Sequence, residues 1–235
     1  MRLEKIDLLR GISIIGMIFF HANYMLESLF QRDIIPLPDI FWWFLGPGVA
    51  FIFIFLSGFS FFLSSEEKSL VQVFRKSLRR SIFLALWAFS ITAVTYTFIP
   101  EQRISWGIIH FFALSAAILP LFSFAGRYTI FFWIFIVFIG HTFGDVRVGT
   151  DFFIPWGWIP VWYFSADYYP IFPWFWYMLI GHGAAYWTKY FSLLSLLRGP
   201  HVRSISPILT IGRHAFFIYM LHVPILYLIL WGLFR

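Results

Sequence analysis

The chain alternates long apolar runs with short clusters of charge and proline. A membrane-crossing helix needs roughly 20 apolar residues, with a range of about 17–25. Runs of that kind lie near 8–26, 41–63, 81–99, 107–125, 171–187 and 207–233. The stretch 128–142 is shorter but apolar until His141, and it is expected to form a seventh helix. The segment 150–170 is interrupted by Asp151, Pro155, Pro160, Asp167 and Pro170. With its Trp and Tyr residues it reads as an aromatic loop at the membrane interface, where those side chains are favoured. No internal repeat or separate soluble domain is visible. The expected fold is all-α, a polytopic transmembrane bundle of about seven spans, with residues 1–235 forming one integral-membrane domain.

Composition turns apolar helices into membrane helices. Of 235 residues, 60% are hydrophobic, 24% aromatic and 12% charged, whereas soluble domains run nearer ~45–50% apolar and ~25% charged. So few charges cannot cover a water-soluble surface. A soluble enzyme, a disordered chain and a nucleic-acid binder are poor fits, despite the net charge of +6. The absence of cysteine excludes disulfides, thiolate metal sites and a cysteine nucleophile. The first apolar run follows a basic start, as in a signal peptide, but it lacks a small-x-small cleavage site and is expected to stay as the first helix.

The distribution of charge predicts the orientation. With the N-terminus inside, Arg2, Lys5, Arg10, Lys68, Arg75, Lys76, Arg79, Arg80, Arg127, Lys189, Arg198, Arg203 and Arg213 face the cytosol, 13 of the 17 basic residues. Arg32, Arg103, Arg147 and Arg235 remain outside, together with seven of the eleven acids. Cytosolic loops carry the excess of Lys and Arg, so seven spans imply an inner N-terminus and an outer C-terminus. The +6 is then largely a topology signal.

Ionisable groups within apolar helices are costly and mark functional candidates. Arg10 and His21 are eleven positions apart, which on a helix is about 20° in phase and about 16 Å along the axis. They project from one face, with Asp7 three residues before Arg10 and able to pair with it. Read alone, a snorkelling arginine and a histidine making one interhelical hydrogen bond account for this pair equally well. His110 near the start of the fourth run, and Asp167, Tyr168, Tyr169 and Trp174 leading into the sixth, lie on the same expected outer side as His21 and Asn23. A histidine with an acid partner is the arrangement general-base catalysis uses. Tyr219 and His222 share a face of the last run, but a histidine at mid-membrane is more often a packing hydrogen bond, and His182 is read the same way. His141 and His201 fall at the ends of runs and read as solvated. No metal-ligand spacing occurs among the seven histidines, so no metal is expected. Arg75 with Arg79 and Lys76 with Arg80 are i,i+4 pairs that would give a helix one basic face, suited to anionic lipid or to the phosphates of a cytosolic ligand.

Ile6-Asp7-Leu8-Leu9-Arg10-Gly11, Met17 and His21 resemble the signature of the heparan-α-glucosaminide N-acetyltransferase catalytic-domain family, itself similar to multi-spanning acyltransferases with an R-x10-H helix. Further resemblance lies in Gly107-Ile108-Ile109-His110-Phe111, in Asp167-Tyr168-Tyr169-Pro170 with Pro173-Trp174, and in Gly212-Arg213-His214 with Tyr219 and His222-Val223-Pro224. These motifs keep the family's order across most of the chain. The resemblance implies a membrane acyltransferase that takes acetyl-CoA from the cytosol and acetylates an extracytoplasmic amino sugar, with no metal. It places His21 on the catalytic histidine and Arg10 on its paired arginine, with Asp167 and His110 in the other two blocks. The chain is shorter than the lysosomal enzymes and lacks a large luminal domain, so a prokaryotic cell membrane and a cell-envelope glycan or glycolipid acceptor fit best.

The resulting expectation is acyl transfer across the membrane. Arg10, Arg75, Arg79 and Arg80 bind the donor phosphates. His21 acts as base or nucleophile, Asp167 and His110 assist, and Asn23, Tyr168, Tyr169 and Trp174 contact the acceptor. The partners are acyl-CoA, the acceptor and lipid, with a homodimer allowed and no nucleic acid. A proton-coupled or small-molecule transporter using Arg10, His21 and His110 is the rival, although the repeats and interrupted helix pairs common in transporters are missing from the sequence. A structural or lipid-binding protein would explain the 33 phenylalanines but not the in-phase arginine and histidine.

Overall fold

The computed structural model describes residues 3–132, 138, 142, 147–197 and 205–234. Most of the expected span 128–142, with His141, lies outside the described residues, as do His201, Arg198 and Arg203. The described residues are helical with no strand, and contain α1 (Glu4–Ser28), α2 (Asp39–Ser65), α3 (Leu70–Phe98), α4 (Ile108–Ile118), α5 (Ile171–Tyr190), α6 (Ser206–Arg213) and α7 (Ala215–Phe234). Among them, α1, α2, α3 and α7 are long and apolar enough to cross a membrane. Most of the large apolar side chains on α3 and α7 face outward, including Phe89, Val94, Leu228 and Leu233. Outward apolar faces suit lipid, which requires only that the backbone hydrogen bonds close within each helix.

Several boundaries differ from the periodicity. The basic segment after α2 belongs to the same helix as the apolar run that follows it. Ser69 caps α3 by accepting the Gln72 N–H while the Gln72 side chain accepts the Ser69 N–H, and the helix runs through Arg75–Arg80 into the apolar run. The fourth run is α-helical only to Ile118, because Pro120 follows and the chain tightens into 3₁₀ turns over Leu119–Phe131. The expected last span is broken. His214, at φ −105° and ψ 19°, leaves helical geometry and divides α6 from α7.

Two compact units emerge, Met1–Leu56 with Lys189–Arg235, and Ser57–Thr188. In the first, Ile14, Met17 and Val49 form a core joined by Leu45, Phe53, Ile211, Ile218 and Tyr219. Backbone contact between α1 and α6 is very close there. A Cβ on Gly212 would stand 1.8 Å from the Asp7 carbonyl oxygen, and one on Gly11 would stand 2.2 Å from that of Ile208. In the second, a Cβ on Gly58 would meet the Met178 carbonyl at 1.9 Å, which brings the end of α2 against α5.

Candidate active site

In the first unit, the α1–α6 approach brings three charges together. Asp7 is buried, with its carboxylate 3.4 Å from Arg10 Nη1 and 3.7 Å from Arg213 Nε. The two arginine side chains keep 29% and 31% of their surface exposed. Asp7 therefore holds two partly exposed guanidiniums on one carboxylate, and guanidinium forks match phosphate oxygens. The Asp7–Arg10 pairing follows from sequence spacing. Arg213 does not, because its place depends on the break at His214.

Toward the other end of α1, His21 Nδ1 lies 2.9 Å from the Met17 carbonyl oxygen. A carbonyl only accepts, so Nδ1 carries a proton, and in the neutral ring the lone pair is on Nε2. His222, on α7, is built the same way, with Nδ1 donating to the Tyr219 carbonyl oxygen at 2.5 Å. The two rings meet edge to face with centroids 4.9 Å apart, and Tyr219 stands 5.3 Å from His222. Two imidazoles are thus held by their own helices, each with Nδ1 toward a backbone carbonyl. Asn23, expected to bind the acceptor, is buried and donates its amide to Glu27 at 2.6 Å.

The second unit holds His110 and Asp167. Here the chain before α4 and the loop before α5 zip together. Ala166 N–H donates to the Arg103 carbonyl, Tyr169 N–H to that of Trp106, Trp106 Nε1–H to that of Tyr169, and Ser105 N–H to Ser165 Oγ. Asp167 Oδ2 accepts the Ile108 N–H at 2.9 Å, which puts a carboxylate at the α4 N-terminus, where the helix dipole favours it. Gly107 permits this approach, since a Cβ there would lie 2.3 Å from Oδ2. Desolvation nevertheless dominates and pushes the Asp167 carboxyl up to about 6, with the Ile108 hydrogen bond pulling the other way.

His110 has the opposite tautomer to His21. Its Nδ1 accepts the Gly107 N–H at 3.2 Å, so the proton is on Nε2 and reaches Thr92 Oγ1 at 3.1 Å. The Thr92 hydroxyl in turn donates to the Ile104 carbonyl. Both ring nitrogens are engaged in holding the start of α4, which contrasts with the expected part in proton transfer. His182, buried against Phe61 and Phe62, pairs with Thr129. Tyr168 donates its hydroxyl to the Ile154 carbonyl, and Tyr169 packs at a tilt against Trp174, with centroids 4.7 Å apart. That leaves a wall of aromatic faces, whose Tyr168 and Tyr169 hydroxyls burial keeps well above the usual phenol range. Arg75, Lys76, Arg79 and Arg80 all lie exposed on α3, with Val73 and Ser77 turned inward.

Among the described residues, no group of three His, Asp or Glu side chains could hold a metal ion. No curated protein and no solved structure matches the chain. Over residues 2–224, nearly its whole length, the chain belongs to the family of the heparan-alpha-glucosaminide N-acetyltransferase catalytic domain.

Proposed function

We propose that the protein is a transmembrane acyltransferase with a cytosolic N-terminus, about seven spans and an outer C-terminus. It moves an acetyl or related acyl group from cytosolic acyl-CoA to an amine or hydroxyl of an extracytoplasmic amino sugar or cell-envelope glycan. The whole chain serves as one membrane domain in the cell membrane of a prokaryote. Family membership supports the acetyltransferase chemistry, and the Lys and Arg distribution supports the orientation. The observation that carries the reading is the His21 tautomer. The Met17 carbonyl holds the proton on Nδ1, leaving Nε2 as a base on the same face of α1 as Arg10.

Arg10 and Arg213, fixed by Asp7, hold the phosphates of the donor. The exposed basic face of α3 attracts donor phosphates or anionic headgroups to the inner surface. The level of His21 is about 16 Å along α1 from that of Arg10, a length a pantetheine arm can cover. His21 Nε2 then takes the proton of the acceptor N–H or O–H as it attacks the thioester carbonyl, or itself takes the acyl group. Asp167 and the packed Tyr169 and Trp174, with Tyr168, belong to the acceptor side, where aromatic faces suit sugar rings. His110 serves by holding α4.

The test is binding and slow hydrolysis of labelled acetyl-CoA by the purified protein in nanodiscs. Wild type binds and turns over, His21→Ala binds without turnover, and Arg10→Ala binds weakly. A well-folded His21→Ala variant with normal rates overturns the mechanism. A wild type that neither binds nor hydrolyses any acyl-CoA removes the acyltransferase reading and favours transport.

A further inference from the structure

His222 is 6% exposed and its Nε2 has no hydrogen-bond partner. A buried polar atom left bare is destabilising, a cost that a leucine at this position of an otherwise apolar helix would avoid. The other ring nitrogen is fully used by the Tyr219 carbonyl, so the bare nitrogen carries a lone pair. His21, in ring contact with it, has the same construction from the facing helix. The pair therefore presents two nitrogens able to accept a proton, and the Nδ1 protons are both committed to backbone. A single added proton relieves both. It converts one ring to an imidazolium, with the other ring in edge-to-face contact beside it.

We propose that His21 and His222 form a proton-sharing pair in which His222 acts through His21 as a positioning residue. The proposal rests on the acyltransferase reading above. In the transfer, the acceptor N–H or O–H bond breaks as its nitrogen or oxygen bonds to the acyl carbon. The C–S bond breaks with its electron pair on sulfur. The proton passes to His21 Nε2, is shared with His222 Nε2, and ends on the sulfur as the free CoA thiol. No other reactant is needed. Tyr219 on α7 is a titratable neighbour of the pair. Phe20 on α1 packs against His21, while α2 and α6 bring Leu45, Val49, Phe53 and Ile211 to the surrounding core. The charges on α1 are Glu4, Lys5, Asp7 and Arg10 toward one end and Glu27 toward the other.

His222→Asn separates packing from proton sharing. Its amide N–H replaces Nδ1–H toward the Tyr219 carbonyl, but nothing replaces Nε2. With labelled acetyl-CoA and glucosamine as acceptor, kcat falls about 100-fold, the scale of a general acid–base group. The KM for acetyl-CoA stays within about twofold, and the kcat–pH profile loses one ionisation while His222→Gln fails to restore it. A wild-type rate and profile in His222→Asn, or a change in KM alone, overturns the proposal. Should the variant not fold, ¹⁵N-histidine NMR of the wild-type protein decides. The His21 and His222 Nε2 signals move together on uptake of one proton, whereas two independent titrations overturn the pair. The NMR measurement needs no substrate. A wild type inert toward acyl-CoA therefore defeats the functional reading without deciding the pairing, which the titration still does.

Discussion

At the scale of single residues, the decisive information is which atom of a side chain is already committed. His21 and His110 look alike in sequence, as polar groups near one expected side of the membrane. They differ because Met17 offers a carbonyl to one and Gly107 offers an N–H to the other, a distinction of local backbone geometry that spacing does not carry. Arg213 is proposed for the donor side on the same kind of ground, through its ion pair with Asp7. Arg213→Ala is expected to raise the KM for acetyl-CoA about tenfold, equivalent to about 1.4 kcal/mol, with kcat little changed. A fall in kcat at constant KM would instead place Arg213 in the chemical step. Asp167 gives a pH signature. Its carboxyl binds a proton more tightly in the folded chain, with a value of about 6 against 3.8 in the open chain. The stability it contributes is therefore complete below the lower value and is lost as pH rises through 6. Asp167→Asn keeps an oxygen to accept the Ile108 N–H but removes the titration. Melting curves in detergent from pH 4 to 7 should fall less steeply with pH for Asp167→Asn than for wild type, and parallel curves would refute this assignment.

At the scale of elements, the sequence was legible wherever an apolar run had its own start and stop. α1, α2 and α5 lie close to the runs 8–26, 41–63 and 171–187 because Pro, charge and turn residues flank them. Legibility failed where amphipathic and apolar segments join. α3 continues from a basic face into lipid-suited residues without a break, whereas the apolar run alone starts only at 81. The division at His214 escaped for the opposite reason. Apolar stretches on both sides carry a hydropathy window across Gly212-Arg213-His214, and the break lies beside the close packing of α6 on α1. Glycine is what allows that packing, since a Cβ at position 212 would overlap the Asp7 carbonyl at 1.8 Å and approach the Gly11 nitrogen at 2.9 Å. Gly212→Ala must push the two helices apart, at a cost of about 1–3 kcal/mol from overpacking, and it should also weaken acetyl-CoA binding by moving Arg213 from Asp7. Gly232→Ala, with nothing within 4 Å of the added carbon, is the matched control. Equal thermal stability of the two variants would show that α1 and α6 are not in backbone contact.

At the scale of the whole molecule, what matters is which end of each helix meets the cytosol, because donor and acceptor are proposed to come from opposite sides. The asymmetry of Lys and Arg was legible from the sequence, since it is a property of the segments between helices and needs no tertiary contact. It makes a definite statement about positions 67, 166 and 233. On the proposed orientation Glu67, which precedes the basic face of α3, is expected inside. Ala166, in the loop beside Asp167, and Leu233, near the end of α7, are expected outside, and all three side chains are exposed. The chain has no cysteine, so one cysteine at each position in turn reports without background. In intact cells a membrane-impermeant maleimide should label Ala166→Cys and Leu233→Cys and leave Glu67→Cys unlabelled until the cells are opened. If Leu233→Cys behaves like Glu67→Cys, the number of spans is even and α7 ends in the cytosol. If Glu67→Cys is labelled in intact cells while Ala166→Cys is protected, the orientation is inverted. Arg10 and Arg213 would then face away from the cytosolic acyl-CoA pool, and a donor entering from that side could not reach His21 by the route proposed.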